Sequence, residues 1–185
     1  MSKYTQGEAL PLEIGLYTHI NPNIAPFLHE KLGLTPNGVT TITLFLGFYI
    51  AYSIYIGNYK TAAVICIVRQ ILDSTDGYIA RRYGISSESG DKYDVISDTI
   101  YWVLTSLMIL YKLRGNIPVA LVVIVFLIFM SLVNKDRSKC LKRKSDSCKD
   151  EKVRHEILKN TTYSSYFEIT LLRALFIFNL KYFIR

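Results

Sequence analysis

Cysteine is scarce in this 185-residue chain, which has only Cys66, Cys140 and Cys148. Three scattered thiols exclude a disulfide framework and a cysteine-built metal site. Cys66 lies inside an apolar run and reads as a small buried hydrophobe. Charge is missing from long stretches. Leu32 to Tyr59 and Gly115 to Asn134 contain no Asp, Glu, Lys, Arg or His, and Tyr163 to Ile184 carries only Glu168, Arg173 and Lys181. Helices of a soluble domain need a polar face, and these segments supply none. Their lengths match the roughly 20 residues that cross a hydrocarbon core. An apolar leader is also lacking. Met1 to Lys31 is polar and mixed, with Pro11, Pro22 and Pro26 expected to interrupt any long helix, so no removable signal peptide is expected.

What is present is apolar residues, half of the chain, and a formal charge of +7. About half of the Lys and Arg residues lie between Lys135 and Lys159. A basic block beside apolar spans marks a cytosolic side facing anionic headgroups, so nucleic acid is not an expected partner. The expected fold is all-α: a polytopic membrane helical bundle of about five transmembrane helices. The first runs from Thr35-Pro36-Asn37 to Gly57-Asn58, with Pro36 suited to a helix start and Thr35 or Asn37 as its cap. The others cover 61–81, 92–111, 115–133 and 162–183. Residues 1–33 form an N-terminal cytosolic or interfacial segment, part of Ile20 to Leu32 lying on the membrane surface. Residues 34–185 form the membrane domain, with a polar loop at 135–160. Placing Arg81, Arg82 and Lys92 in the cytosol brings the basic block to the same side. An odd span count also favours lateral packing as a homodimer.

Two spans acquire acids at their cytosolic ends, where ionised carboxylates are costly unless paired, hydrated or metal-bound. Asp73 and Asp76 are three apart and Asp94 and Asp98 four apart, so each pair shares a helix face. A loop of about ten residues would let antiparallel helices bring the pairs to one level. Four such groups either share protons or hold divalent cations. Oxygen-only ligation favours magnesium or manganese, and four carboxylates suffice for two ions. Gly77 either packs helices together or leaves room for a nucleotide diphosphate, and Ala80 keeps the same face shallow. Gly90 is expected to end the loop and open the next helix. Arg81 either grips phosphate or anchors the cytosolic end. Asp91 faces either the site or solvent.

The run Asp73-Ser-Thr-Asp76-Gly77-Tyr-Ile-Ala80-Arg81, then Gly90 and Asp94-Val-Ile-Ser-Asp98, resembles the signature of the CDP-alcohol phosphatidyltransferase family, D-x-x-D-G-x-x-A-R-x(8)-G-x-x-x-D-x-x-x-D. Every fixed position is matched. Leu34 to Thr40 resembles the entry to that family's first catalytic span. The resemblance implies a binuclear magnesium or manganese site formed by Asp73, Asp76, Asp94 and Asp98. It implies Asp98 as the base that deprotonates a small alcohol acceptor, and Gly77, Ala80, Arg81 and Gly90 as the border of the cytidine nucleotide. A CDP-linked lipid would donate a phosphatidyl group and release CMP, in phospholipid synthesis, from an active site at the cytosolic face. Arg69, Lys135, Arg137 and Arg173 are candidate contacts to the acceptor or its phosphate. The chain departs from the family's six spans in having one convincing apolar segment after Val133. A short helix within 150–160, a partner or oligomerisation would replace the missing one.

Three rival functions follow from the same residues. A CDP-choline or CDP-ethanolamine phosphotransferase acting on diacylglycerol would share the signature. A transporter or a non-catalytic membrane subunit would use the acids differently, and neither needs Gly77, Arg81 and Gly90 at their spacings.

Overall fold

The computed structural model describes residues 14–125, 128 and 166–184. The N-terminal segment, here α1, is helical through three successive registers: a π-helical turn at Leu16–Ile20, an α-helix at Asn21–Pro26 and a second π-helical turn at Phe27–Lys31. Pro22 and Pro26 therefore do not interrupt it, contrary to expectation. Pro22 opens the α-helical piece, where its missing N–H is no loss, and the wider π turns on either side accommodate the change of register.

Three long helices follow. Helix α2 spans Pro36–Tyr55, α3 spans Tyr59–Arg82 and α4 spans Glu88–Lys112. Thr35 is the cap of α2, its hydroxyl accepting from the Gly38 N–H at 3.2 Å ahead of Pro36. Asn58 caps α3 through Thr61. The α3–α4 connection is Tyr83 to Ser87, shorter than the ten residues expected. Ser87 caps α4 by accepting from the Gly90 N–H at 3.0 Å, and Glu88 and Asp91 suit the positive end of the helix dipole. Gly90 thus lies inside the first turn of α4, while Gly84, at φ 67°, makes the turn between the helices. Residues 117–125 are helical, and α5 covers Tyr166–Asn179 before a 3-10 turn at Leu180–Tyr182.

Helix α2 packs on both α3 and α4, and α5 packs on α3. Ile50, Ile54, Cys66, Tyr101, Ile109 and Ile177 form the centre of the bundle. Gly47 lets α2 and α4 approach closely: a Cβ there would lie 3.2 Å from the Tyr101 ring. Around this apolar centre, small polar side chains lie between helices while large apolar ones face outward. Thr43, Ser53 and Thr105 are buried between helices, whereas Phe45, Phe48, Val103 and Leu107 face outward. Helices α2 and α4 are long and apolar enough to cross a membrane, and only 39% and 22% of their most apolar stretches is buried within the protein. The architecture is an all-α bundle with two apolar helices long enough to span a membrane. The polar loop at 135–160, including Lys135 and Arg137, lies outside the described residues, as does the end of the fourth expected span.

Segment α1 is pinned to α3. Asn21, fully buried, donates its amide to the Ser74 hydroxyl at 2.7 Å and accepts from Thr75 at 3.2 Å.

Candidate active site

Helical periodicity puts Asp73 and Asp76 on the side of α3 that meets α4. Carboxylate oxygens of Asp73, Asp76 and Asp94 all lie within 4.8 Å of one another. Three acids at this spacing repel if all are ionised, and a shared divalent cation or shared protons would relieve it. The donor set, oxygens only, fits a hard cation. One further group comes from α2: the buried Thr40 hydroxyl donates to Oδ2 of Asp76 at 2.7 Å.

Asp98 is placed differently. Its Oδ1 accepts from Nη2 of Arg69 at 2.6 Å, and the same nitrogen stands 3.4 Å from Asp73. Arg69 is 2% exposed and its guanidinium stacks 3.8 Å from the centroid of the Tyr101 ring. The structure therefore brings together three of the four expected metal ligands and pairs the fourth with an arginine.

A groove with about 370 Å³ of empty space, part of it open to solvent, runs beside the acids. Asp76, Gly77, Ala80, Gly90 and Asp94 line it from α3 and α4, and Asp91 also borders it while remaining exposed. Across from them stand Pro36, Asn37 and Thr40 of α2. Gly77 leaves space for a side chain rather than for a neighbouring helix. A Cβ there would sit 3.1 Å from the Arg81 guanidinium, which folds back over it. Arg81 is held in that position by its Nε, which donates to the Tyr17 hydroxyl of α1 at 3.0 Å. A Cβ on Gly90 would lie 3.0 Å from both Oδ1 of Asn37 and Oγ of Ser87, so a larger residue would displace the Asn37 amide from the groove wall or the Ser87 cap.

Arg173 of α5 sits deeper. It donates to the Thr105 hydroxyl, to Ser106 at 3.1 Å and to the Trp102 carbonyl at 3.4 Å, and it lies 4.0 Å from the Trp102 ring centroid. Its Nη1 has no hydrogen-bond partner among the described residues. Arg173 and Arg69 both neighbour the ring of Tyr101, at 5.3 and 3.8 Å.

Sequence reasoning missed Thr40, Asn37 and Tyr17 as parts of the site. Asn37 and Thr40 are three residues apart on one face just inside the cap of α2, a polar pair that an apolar span has no structural need for. For Tyr17 the sequence carries no comparable signal, because its contact depends on how α1 docks.

A family model described as CDP-alcohol phosphatidyltransferase matches residues 33–181. The chain is 30% identical over 92 residues to the inner membrane protein YnjF of Escherichia coli (strain K12), which covers 46% of this chain and 44% of that protein. It is 35% identical over 70 residues to an archaetidylinositol phosphate synthase of Pyrococcus horikoshii, covering 38% of this chain and 37% of that one. Each alignment thus spans less than half of the relative. The family match, by contrast, runs through all the long helices and every residue of the acid cluster, and the chain belongs to the CDP-alcohol phosphatidyltransferase family.

Proposed function

We propose that this protein transfers a phosphatidyl group from CDP-diacylglycerol, or a similar CDP-linked lipid, to a small hydroxyl acceptor and releases CMP. The observation that carries the reading is the meeting of three carboxylates within 4.8 Å at the edge of a groove floored by Gly77 and Gly90. Asp73, Asp76 and Asp94 are the residues to hold magnesium or manganese, as two ions. Bound there, the cations supply neutralisation of the diphosphate and polarise its oxygens. Gly77, Ala80, Arg81 and Gly90 border the cytidine nucleotide, Arg81 contributing a planar cation suited to phosphate. Asp98 takes the proton of the acceptor hydroxyl as that oxygen bonds to the phosphorus carrying the lipid. The bond from that phosphorus to the CMP oxygen breaks, and CMP leaves.

The wider membrane reading belongs to the same proposal: about five spans, with the acids and the basic loop in the cytosol. The product named for the Pyrococcus relative, archaetidylinositol phosphate, favours an acceptor that itself carries phosphate. Arg173, with an unpartnered buried nitrogen, is the described cation best suited to such a group. Lys135 and Arg137 are further candidates from the loop.

The test is release of CMP by the purified protein with magnesium or manganese. CDP-diacylglycerol is supplied with a panel of inositol phosphate, inositol, glycerol phosphate and serine, and CDP-choline or CDP-ethanolamine with diacylglycerol. CMP with the lipid-linked donor is the expected result. CMP only with the CDP-linked base reverses the donor, and none with any pair removes the enzymatic reading.

A further inference from the structure

One guanidinium nitrogen joins the fourth acid of the signature to the edge of the cluster formed by the other three. Asp73, Asp76 and Asp94 face one another, while Asp98 is held by the guanidinium of Arg69 at 2.6 Å, closer than that group stands to Asp73 at 3.4 Å. The arginine has little freedom. It is 2% exposed, sits over the Tyr101 ring at 3.8 Å from its centroid, and has no hydrogen-bond partner for its Nε among the described residues. Its alignment is therefore set by the ring below it and the carboxylates at its edge. Tyr101 is in turn fixed by Gly47 on one side and by a 3.1 Å contact between its hydroxyl and Cys66. Because Asp98 and Tyr101 are three residues apart on α4, one turn of that helix grips the guanidinium by edge and by face.

We propose that Arg69 is a positioning residue that reserves Asp98 for the acceptor. It fixes this carboxylate through Oδ1, bridges it to Asp73 through the same nitrogen, and leaves Oδ2 to receive the acceptor's proton as the new O–P bond forms and the bond to CMP breaks. Arginine suits the task because it presents a fixed fork of donors and does not itself take up or release a proton. The proposal rests on the transferase reading above and adds the division of labour among its acids.

The experiment compares Arg69→Gln, Arg69→Lys and Tyr101→Leu with the unaltered protein, each full length in detergent. CMP release gives kcat and KM, and electron paramagnetic resonance counts bound Mn2+. Arg69→Gln is expected to lower kcat by at least about tenfold, with both KM values held within about threefold. Mn2+ binding stays as in the unaltered protein. Arg69→Lys, which keeps the charge, recovers part of kcat, and Tyr101→Leu falls between the two. A rise in acceptor KM with kcat retained would make Arg69 a substrate contact and overturn the proposal. So would unchanged kinetics, or loss of Mn2+ in a folded variant. If Arg69→Gln does not fold, Arg69→Lys and Tyr101→Leu decide the matter by the same split between kcat and KM. Absence of CMP from the unaltered protein strikes the transferase reading itself, and is read before any variant is compared.

Discussion

The hydroxyl of Thr40 reaches Oδ2 of Asp76 at 2.7 Å, so the first long helix takes part in a site whose acids all come from the next two. A hydrogen bond to an ionised group fixes which oxygen points at a cation. Thr40→Val is expected to weaken Mn2+ binding by about tenfold, the lower end of what supporting contacts around a metal contribute. Thr40→Ser, which keeps the hydroxyl, should stay near the unaltered protein in the same titration.

Gly77→Ala separates stability from function. The added methyl meets only the far end of the Arg81 side chain, which can swing away at little cost. Alanine also favours the helical state over glycine by about 1 kcal/mol. The variant should melt no lower than the parent, while KM for the CDP-linked donor rises by about tenfold as Arg81 leaves its place. A fall in melting temperature with unchanged KM would contradict this account of the glycine.

Gly47→Ala should do the opposite. Its Cβ would lie 3.2 Å from Cδ2 and 3.3 Å from Cβ of the buried Tyr101, which has nowhere to move. Overpacking of this kind costs about 1–3 kcal/mol. Thermal melting in detergent should show the loss directly.

Removing charge from the acids should sort them by role. Asp94→Asn is expected to lose Mn2+ binding and CMP release together. Asp98→Asn should keep its Mn2+ while turnover drops by about 10²–10⁴, the usual contribution of a positioned base. Equal loss of metal in both would place Asp98 among the ligands. Chelation of divalent cations should abolish CMP release from the unaltered protein and leave its helical content in place.

Much of this site was legible in the sequence because helical periodicity is simple. Spacings of three and four put Asp73 with Asp76 and Asp94 with Asp98 on common faces, and apolar runs of span length bounded the helices that carry them. The finer arrangement depends on contacts between elements, which periodicity does not encode. Arg69, four residues before Asp73, was equally placed to reach substrate or a carboxylate, and only the approach of α4 puts Asp98 beside it. The start of α4 at Glu88 was missed because Ser87 is one of several serines before Gly90, and only the hydrogen bond to the Gly90 N–H marks it as the cap. Pro22 and Pro26 misled for a different reason. They forbid particular hydrogen bonds, but a change to π register supplies others.

Between its first two acids the signature leaves two positions open, and here they are Ser74 and Thr75. Those are the residues that moor Asn21. The segment ahead of the first long helix is therefore fastened between the two acids of α3, at the point where a slight rotation of that helix would alter the distance from one to the other. A tag or truncation that strains residues upstream of Asn21 pulls on this mooring, and its effect should surface as altered cation affinity long before the bundle itself comes apart.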